Sequence, residues 1–353
     1  NDHGRRFRDQ NKFPAALRIS RFTAQLAEQI GNKIGVADAM YYTGVVFLRQ
    51  RDFNEALEYL RKSLELYQTL GDKPRLAVTI EQIGHIHYQQ DNLHQALECF
   101  HRSLALDREV GGEKGGELLY TIGSINHRLG RDADAIAAFQ ASVPLNQKTG
   151  NKVRLYQALG QMHYLQSDFI TSLEYNRRGL ALTEEAGDKA GSAWVLNLMC
   201  LTSRMIGDLT SSMEYVEKAL SISEEVDNDD LKANIFMAAG LLHQALQDRA
   251  KALEFFQKSL ALAEGLNNRT LIAYARQNIG KILFLEGKYA EAMDNVQKAL
   301  TLNEAVGARR HLFYAIDAIG TLHQAQGDYV QALQSRRKAL ALSEEIGNKF
   351  QIT

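Results

Sequence analysis

The sequence has little proline and no long apolar stretch. Only three prolines occur in 353 residues, and apolar residues make up 45% of the chain. Proline interrupts helices, so its scarcity permits a largely helical chain. A membrane-spanning helix needs about twenty consecutive apolar residues, and no run approaches that length. We therefore expect a helical protein that does not interact with a membrane.

Excess charge and cysteine are also lacking. The chain has 41 basic and 42 acidic residues, so nothing electrostatic favours nucleic acid as a partner. The two cysteines, Cys99 and Cys200, are interpreted as small apolar packing residues without a disulfide or metal. A reducing, cytoplasmic location fits this composition.

A small residue recurs at nearly constant spacing through the whole sequence. The intervals are 40, 39, 37, 40, 40, 40 and 40 residues between Gly44, Gly84, Gly123, Gly160, Cys200, Gly240, Gly280 and Gly320, here called the anchor positions. Twelve and nineteen residues after each anchor comes another small residue, such as Ala252 and Ser259 after Gly240. Small side chains let helices approach closely, and such a period indicates stacked repeats.

Turn signals divide each repeat into a helix A, which carries the anchor, and a following helix B. Gly207-Asp208 exemplifies the turn inside a repeat, and Gly71-Asp72 the turn between repeats. We predict one array with these boundaries: 1–33 (a helix B only), 34–73, 74–113, 114–150, 151–189, 190–229, 230–269, 270–309, 310–349, and 350–353 as the start of a further helix. Neither end looks like a natural cap, so a segment of a longer protein is expected.

Two features interrupt the period between the third and fourth repeats. The interval from Gly150 to Gly160 is shorter than its counterparts, and Pro144 falls inside the preceding helix B. A change in the superhelical pitch of the array is predicted at this point. A static bend and a hinge both remain open.

The repeats resemble the tetratricopeptide repeat (TPR) family. Ile83-Gly84-His85-Ile86-His87 is similar to the family's L-G-x-x-Y core, and Ala96/Phe100, Ala135/Phe139 and Ala252/Phe256 match its A-x-x-x-F pairs. The lengthened repeats, of about 40 residues, are similar to those of kinesin light chains and of bacterial TPR sensors and regulators. The resemblance implies an all-α, right-handed α-solenoid of antiparallel helix pairs.

In such arrays helix A lines the concave wall, so the resemblance assigns ligand contacts to fixed positions around each anchor. The predicted groove residues are Tyr41, Arg49, Tyr88, Tyr120, Arg128, Tyr164, Trp194, Asn197, Leu201, Arg204, Met205, Met237, Leu241, Tyr274, Lys281, Phe284 and Tyr314. They include the only tryptophan, and aromatic and Arg side chains carry much of the energy in recognition. Some of these side chains could instead pack between neighbouring A helices.

Sequence motifs for catalysis are missing. There is no H-E-x-x-H, G-x-S-x-G or Walker A pattern. Histidines recur three residues after the anchor at His87, His163, His243 and His323. Because Phe47 and Leu283 occupy the same position elsewhere, this slot is interpreted as helix packing. We predict that the chain is not an enzyme and binds no metal or cofactor.

The expected function is recognition of a protein or peptide in the concave groove, as the regulatory domain of a larger bacterial signalling protein. Two alternatives remain open. A small-molecule sensor could control an attached output domain, or a passive scaffold could self-associate through open array ends. A continuous groove favours a peptide, and a closed pocket around Trp194 favours a metabolite.

Overall fold

The structure is a computed structural model that describes residues 2–345, with side chains from residue 13 to residue 344. These residues form seventeen helices and no strand, which confirms the predicted all-α fold. The chain divides into two compact units, Asn1–Ile122 and Gly123–Thr353. The boundary lies within the sixth helix, α6 (Gly115–Arg128). No described helix has the length and apolar character required to cross a membrane.

Unit 1 contains the first five helices and the beginning of α6. They are α1 (Asp2–Gln29), α2 (Lys33–Arg49), α3 (Phe53–Leu70), α4 (Lys73–Gln89) and α5 (Leu93–Glu109). The strongest packing joins α2 to α3 and α4 to α5. A core around the buried side chains of Leu60 and Ile86 lies between these pairs.

Unit 2 contains the end of α6 and eleven further helices among the described residues. They are α7 (Asp132–Thr149), α8 (Lys152–Leu165), α9 (Phe169–Glu185), α10 (Lys189–Ile206), α11 (Leu209–Glu224), α12 (Asp229–Ala245), α13 (Arg249–Gly265), α14 (Arg269–Leu285), α15 (Tyr289–Val306), α16 (Arg309–Ala325) and α17 (Tyr329–Glu345). Each helix packs on the next, and the A helices also touch directly, α10 on α12 and α14 on α16.

The anchor positions are the points of closest approach between helix A and helix B. A Cβ atom added at Gly240 would lie 2.5 Å from the ring of Phe256, and one at Gly123 would lie 2.7 Å from that of Phe139. Both aromatic rings belong to the helix B of the same repeat. The anchor glycines are therefore required because the facing helix fills the space that a side chain would need.

At three of the four serines that lie nineteen positions after an anchor, the hydroxyl bonds across the helix pair, whereas Ser142 donates to Phe139 O of its own helix. The Oγ atoms of Ser63, Ser103 and Ser259 donate to the backbone oxygens of Ala37, Ala77 and Ala233 at 2.9, 2.9 and 2.8 Å. These buried hydroxyls are thus satisfied by the preceding helix A.

The turn inside each repeat keeps one backbone geometry with different residues. Gly207 and Gly287 have φ values of 89° and 76°, in the left-handed region. At the equivalent positions Arg51, Ser167 and Gln247 adopt φ values of 62°, 62° and 63°. Tertiary packing therefore imposes this turn even where the sequence lacks the glycine that favours it.

The irregular region occurs where the sequence places it. Helix α8 has 14 residues, whereas α10 has 18, and Pro144 lies inside α7. The repeat boundaries and the single array remain predictions, and the expected helix at 350–353 lies outside the described residues.

Candidate functional site

Four of the predicted groove residues belong to unit 1. Tyr41 and Tyr88 are partly buried, Arg49 is exposed, and Tyr120 is buried. Burial, followed by the Glu81 carboxylate, raises the pKa of Tyr41. Glu81 is itself paired with Lys114 at 2.7 Å, so this part of the unit 1 A helices carries compensated charge.

In unit 2 three predicted groove residues are almost completely buried. Asn197, Met237 and Leu241 have exposed fractions of 3%, 4% and 8%. Met237 and Leu241 belong to the apolar core around Phe256. These two side chains pack between helices, which was the alternative interpretation of the groove positions, so they offer little surface to a ligand.

The other predicted residues of unit 2 retain accessible surface to different degrees. Trp194 and Leu201 are partly buried against the core formed by α10 and its neighbours, and Phe284 lies 5.7 Å from the ring of Tyr289. Met205, Lys281 and Tyr314 are exposed, and Arg128, Arg204, Tyr164 and Tyr274 are partly exposed. The accessible part of the predicted set is therefore mainly tyrosine and arginine.

Three tyrosines from different A helices share an electrostatic environment with one arginine. Burial raises the pKa of Tyr274 to about 12, against the lowering influence of Arg204 and with raising contributions from Tyr164 and Tyr314. Burial likewise raises the pKa of Tyr164, with Arg204 opposing and Tyr314 adding to the effect. A charged or titratable side chain contributes to the pKa of another only when the two lie near each other. Helices α8, α10, α14 and α16 thus contribute to one neighbourhood.

A second group in unit 2 connects the end of α6 and the start of α7 with the beginnings of α14 and α16. Asp132 forms an ion pair with Arg310, and Arg128 Nη2 donates to Asn268 Oδ1 at 3.3 Å. The ring of His311 lies 5.1 Å from that of Tyr274. Segments far apart in the sequence therefore meet on the helix A side, next to the tyrosines.

The histidines of this connection are neutral near pH 7. Burial, followed by the nearby Arg310 guanidinium, lowers the pKa of His127 to about 4. The pKa of His311 is lowered to about 4 by burial, then by Arg310, His127 and Arg128. Asp132, Arg310 and His311 were not predicted as site residues. None of them occupies a predicted groove position, and no repeat pattern in the sequence marks them.

Several polar atoms on the A helices of unit 2 are buried without a hydrogen-bond partner. They include Asn197 Oδ1, Arg204 Nε, Gln244 Nε2 and His311 Nδ1. A buried polar atom without a partner is costly in a folded protein, and such atoms commonly bind water or a ligand. Arg204 and Gln244 both lie four residues after an anchor, on helices α10 and α12 that pack together.

The recurring histidine slot is a packing position. His163 stacks on Tyr175 with ring centroids 5.6 Å apart, and His243 stacks on Phe255 at 5.4 Å. Phe47 makes the same stacked contact with Tyr59 at 5.6 Å. Among the described residues, no three His, Cys, Asp or Glu side chains are grouped as metal ligands would be. Cys200 is buried and Cys99 is partly buried, both as free thiols.

Sequence comparison identifies one recurring element in this chain. The tetratricopeptide repeat profiles match residues 4–69, 75–148, 191–265, 231–305 and 315–349. Both profiles that match describe this repeat and not a catalytic family. No curated protein sequence gives a significant match to the chain.

Solved structures with a similar fold include two Rap proteins. A Rap protein complexed with Competence and Sporulation Factor has a TM-score of 0.63 and 12% identity, covering 96% of this chain and 97% of that one. The Rap conjugation gene regulator of plasmid pLS20, in complex with the Phr* peptide, has a TM-score of 0.63 and 14% identity, covering 79% and 77%.

A third similar structure is a Signal Transduction ATPase with Numerous Domains (STAND) protein with a tetratricopeptide repeat sensor, from Pyrococcus horikoshii. It has a TM-score of 0.54 and 13% identity, and the match covers 95% of this chain and 54% of that one. At these identities the likeness concerns the fold alone.

Proposed function

Because the chain belongs to the tetratricopeptide repeat family, we propose that it is a non-catalytic recognition scaffold whose unit 2 binds a peptide segment. The proposed contact surface is the helix A side of α8, α10, α14 and α16. We further propose that the chain is the regulatory domain of a larger bacterial signalling protein. Two proteins of similar fold were solved with the peptide Phr* and with Competence and Sporulation Factor, which motivates a peptide ligand.

One observation carries this proposal. Tyr164, Arg204, Tyr274 and Tyr314 come from four different repeats, yet Arg204 and Tyr314 both contribute to the pKa values of Tyr164 and Tyr274, and the Tyr274 ring lies 5.1 Å from that of His311 on α16. Tyrosine and arginine are enriched among residues that dominate binding energy, because they combine apolar contact area with hydrogen bonding. A surface shared by several repeats suits an extended ligand that contacts each of them in turn.

The test uses peptides selected from a random display library on the intact chain, with affinities measured by fluorescence anisotropy. Tyr314→Ala removes a side chain that is 44% exposed, so the fold should persist. We expect about a tenfold or greater loss of affinity if this tyrosine is a principal contact. Tyr329→Ala, at a 71% exposed tyrosine on α17, is the matched control and should bind like the parent.

The alternative functions give different results in the same experiment. Trp194→Ala should also weaken peptide binding, with circular dichroism confirming that the helices remain. A parental affinity for both Tyr314→Ala and Trp194→Ala, together with a loss for Lys298→Glu on α15, would refute binding on the helix A side. A failure to select any peptide, with concentration-dependent dimerisation in light scattering, would favour the self-associating scaffold.

A further inference from the structure

Arg204 is a partly buried positive charge with no acidic partner among the described residues. Its one recorded side-chain hydrogen bond is a long contact of 3.6 Å from Nη2 to the Met205 sulfur. Its Nε atom is buried and bonds to nothing. A guanidinium has five donors arranged to match an anionic group, and leaving such a donor unpaired in a buried place is unfavourable.

Three acids of unit 2 have partners other than Arg204. Asp132 is paired with Arg310, and Asp317 is paired with Arg336. Asp230 accepts a hydrogen bond from Asn268 Nδ2 at 3.2 Å. None of these carboxylates is recorded in contact with Arg204. Among the described residues Arg204 therefore has no ion-pair partner, and its charge is available to an added anion.

Two other buried polar atoms without a partner among the described residues lie on α10 itself and on α12, which packs against it. Gln244 Nε2 is a second buried donor, four residues after its anchor on α12, and α12 packs directly on α10. Asn197 Oδ1 is an acceptor two helical turns before Arg204, on the same face of α10. Arg204 Nε and Gln244 Nε2 are therefore available to donate to an anionic group of a ligand, and Asn197 Oδ1 is available to accept from a ligand N–H.

The neighbouring tyrosines Tyr164 and Tyr274 carry no negative charge that would pair with Arg204. Because the pKa values of Tyr164 and Tyr274 are raised, both phenols stay neutral at physiological pH. Tyr274 keeps some solvent exposure although protein surrounds it on most sides. In such surroundings an ion pair is screened less than one on an open surface, so an anion would be held more strongly here.

We propose that unit 2 binds its ligand through an anionic group that pairs with Arg204 and is assisted by Gln244. This inference rests on the proposed peptide-binding function and specifies the chemistry of that site. An Asp or Glu side chain, a chain-terminal carboxylate or a phosphate ester could supply the group. A guanidinium binds all of these with two parallel hydrogen bonds.

The experiment compares each library-selected peptide with a copy in which every Asp and Glu is replaced by Asn and Gln. We expect selected peptides to be enriched in acidic residues and their neutral copies to bind at least about tenfold more weakly. Arg204→Gln should weaken the acidic peptides to the same degree and leave the neutral copies unchanged. Arg204→Lys keeps the positive charge but loses the two parallel hydrogen bonds of the guanidinium. It should therefore bind the acidic peptides more tightly than Arg204→Gln and more weakly than the parent.

The source of the anionic group is resolved by two further probes. Thermal unfolding is followed with glutarate and with inorganic phosphate, for the parent and for Arg204→Gln. Stabilisation of the parent by glutarate alone indicates a carboxylate, and stabilisation by phosphate alone indicates a phosphate ester. Arg204→Gln should abolish either effect.

The outcomes separate this inference from the proposed function. If peptides bind but their neutral copies bind equally well, or if Arg204→Gln weakens both forms equally, the anionic site is refuted while peptide binding stands. If no peptide is selected, the proposed function fails, and the anion probes decide the inference alone. Absence of any Arg204-dependent stabilisation would then overturn it.

Discussion

Single residues in this protein act mainly by fitting or failing to fit between helices. Most anchor glycines illustrate this, because a Cβ atom added at Gly44, Gly123, Gly160, Gly240 or Gly280 would lie less than 3.0 Å from a side chain of the next helix. Gly240 lies against Phe256, which has no exposed surface. At the corresponding position of the fifth repeat, the larger Cys200 occurs with Val216, a smaller partner than phenylalanine. The smaller partner is not enough by itself to require a larger anchor residue, because Gly280 also faces a valine, Val296.

Gly240→Ala should destabilise the protein. The added Cβ atom would lie 2.5 Å from the Phe256 ring, and overpacking of this kind costs about 1 to 3 kcal/mol. Gly265→Ala is the matched control, because no atom lies within 4 Å of the Cβ position there. Denaturant midpoints should fall for Gly240→Ala and stay equal or rise for Gly265→Ala. Equal midpoints for the two variants would contradict the close-approach explanation.

At the scale of helices and turns, the geometry is more uniform than the sequence. The left-handed residue before each helix B is Gly207 in one repeat and Gln247 in the next, with φ values of 89° and 63°. The aspartate that follows caps the helix in both, accepting from Ser211 N at 3.0 Å and from Lys251 N at 3.1 Å. The cap and the packing of both helices together hold a non-glycine residue in this conformation.

Exchanging the residues of these two turns tests that explanation. Gly207→Gln should destabilise by about 1 kcal/mol, because it places a Cβ atom in the left-handed region. Gln247→Gly should be stabilising by a smaller amount, because glycine relieves this strain but gives the unfolded chain more freedom. Chemical denaturation followed by circular dichroism measures both. A loss of stability in Gln247→Gly would show that the glutamine side chain contributes a contact that outweighs its backbone strain.

At the scale of the whole molecule, unit 2 contains a long-range connection. Asp132 and Arg310 join the start of α7 to the start of α16, and His127 and His311 lie beside them. Burial disfavours the charged form of both histidines, and the Arg310 guanidinium adds repulsion. Acid should therefore weaken this connection.

Stability should fall as the pH is lowered from about 6.5 towards 4.5. Both histidines have folded pKa values of about 4, below their ordinary 6.5, so the unfolded chain binds protons first. Their contribution is fully present above about pH 6.5 and is lost towards pH 4. His311→Phe should flatten a plot of melting temperature against pH, whereas His101→Gln at an exposed site should not. An unchanged slope in His311→Phe would contradict this assignment.

Local sequence signals predict the repeated unit, the helical fold class and the residues at close contacts between helices. Those features depend on local properties, namely the preference of glycine for left-handed turns, the capping by Asp and Asn, and the spacing of small residues. The same spacing predicted the irregularity near Pro144, where α8 is shortened to 14 residues.

Tertiary structure decided which helix A positions are accessible and which repeats meet. Met237 and Arg204 were equal candidates in the sequence, but Met237 is 4% exposed within a core, whereas Arg204 remains partly accessible. Exposure depends on how neighbouring helices pack, and small differences at each repeat accumulate along an array. No local sequence pattern predicts these accumulated differences in packing. Only the stacked repeats therefore bring Asp132 next to Arg310 and group Tyr164, Tyr274 and Tyr314.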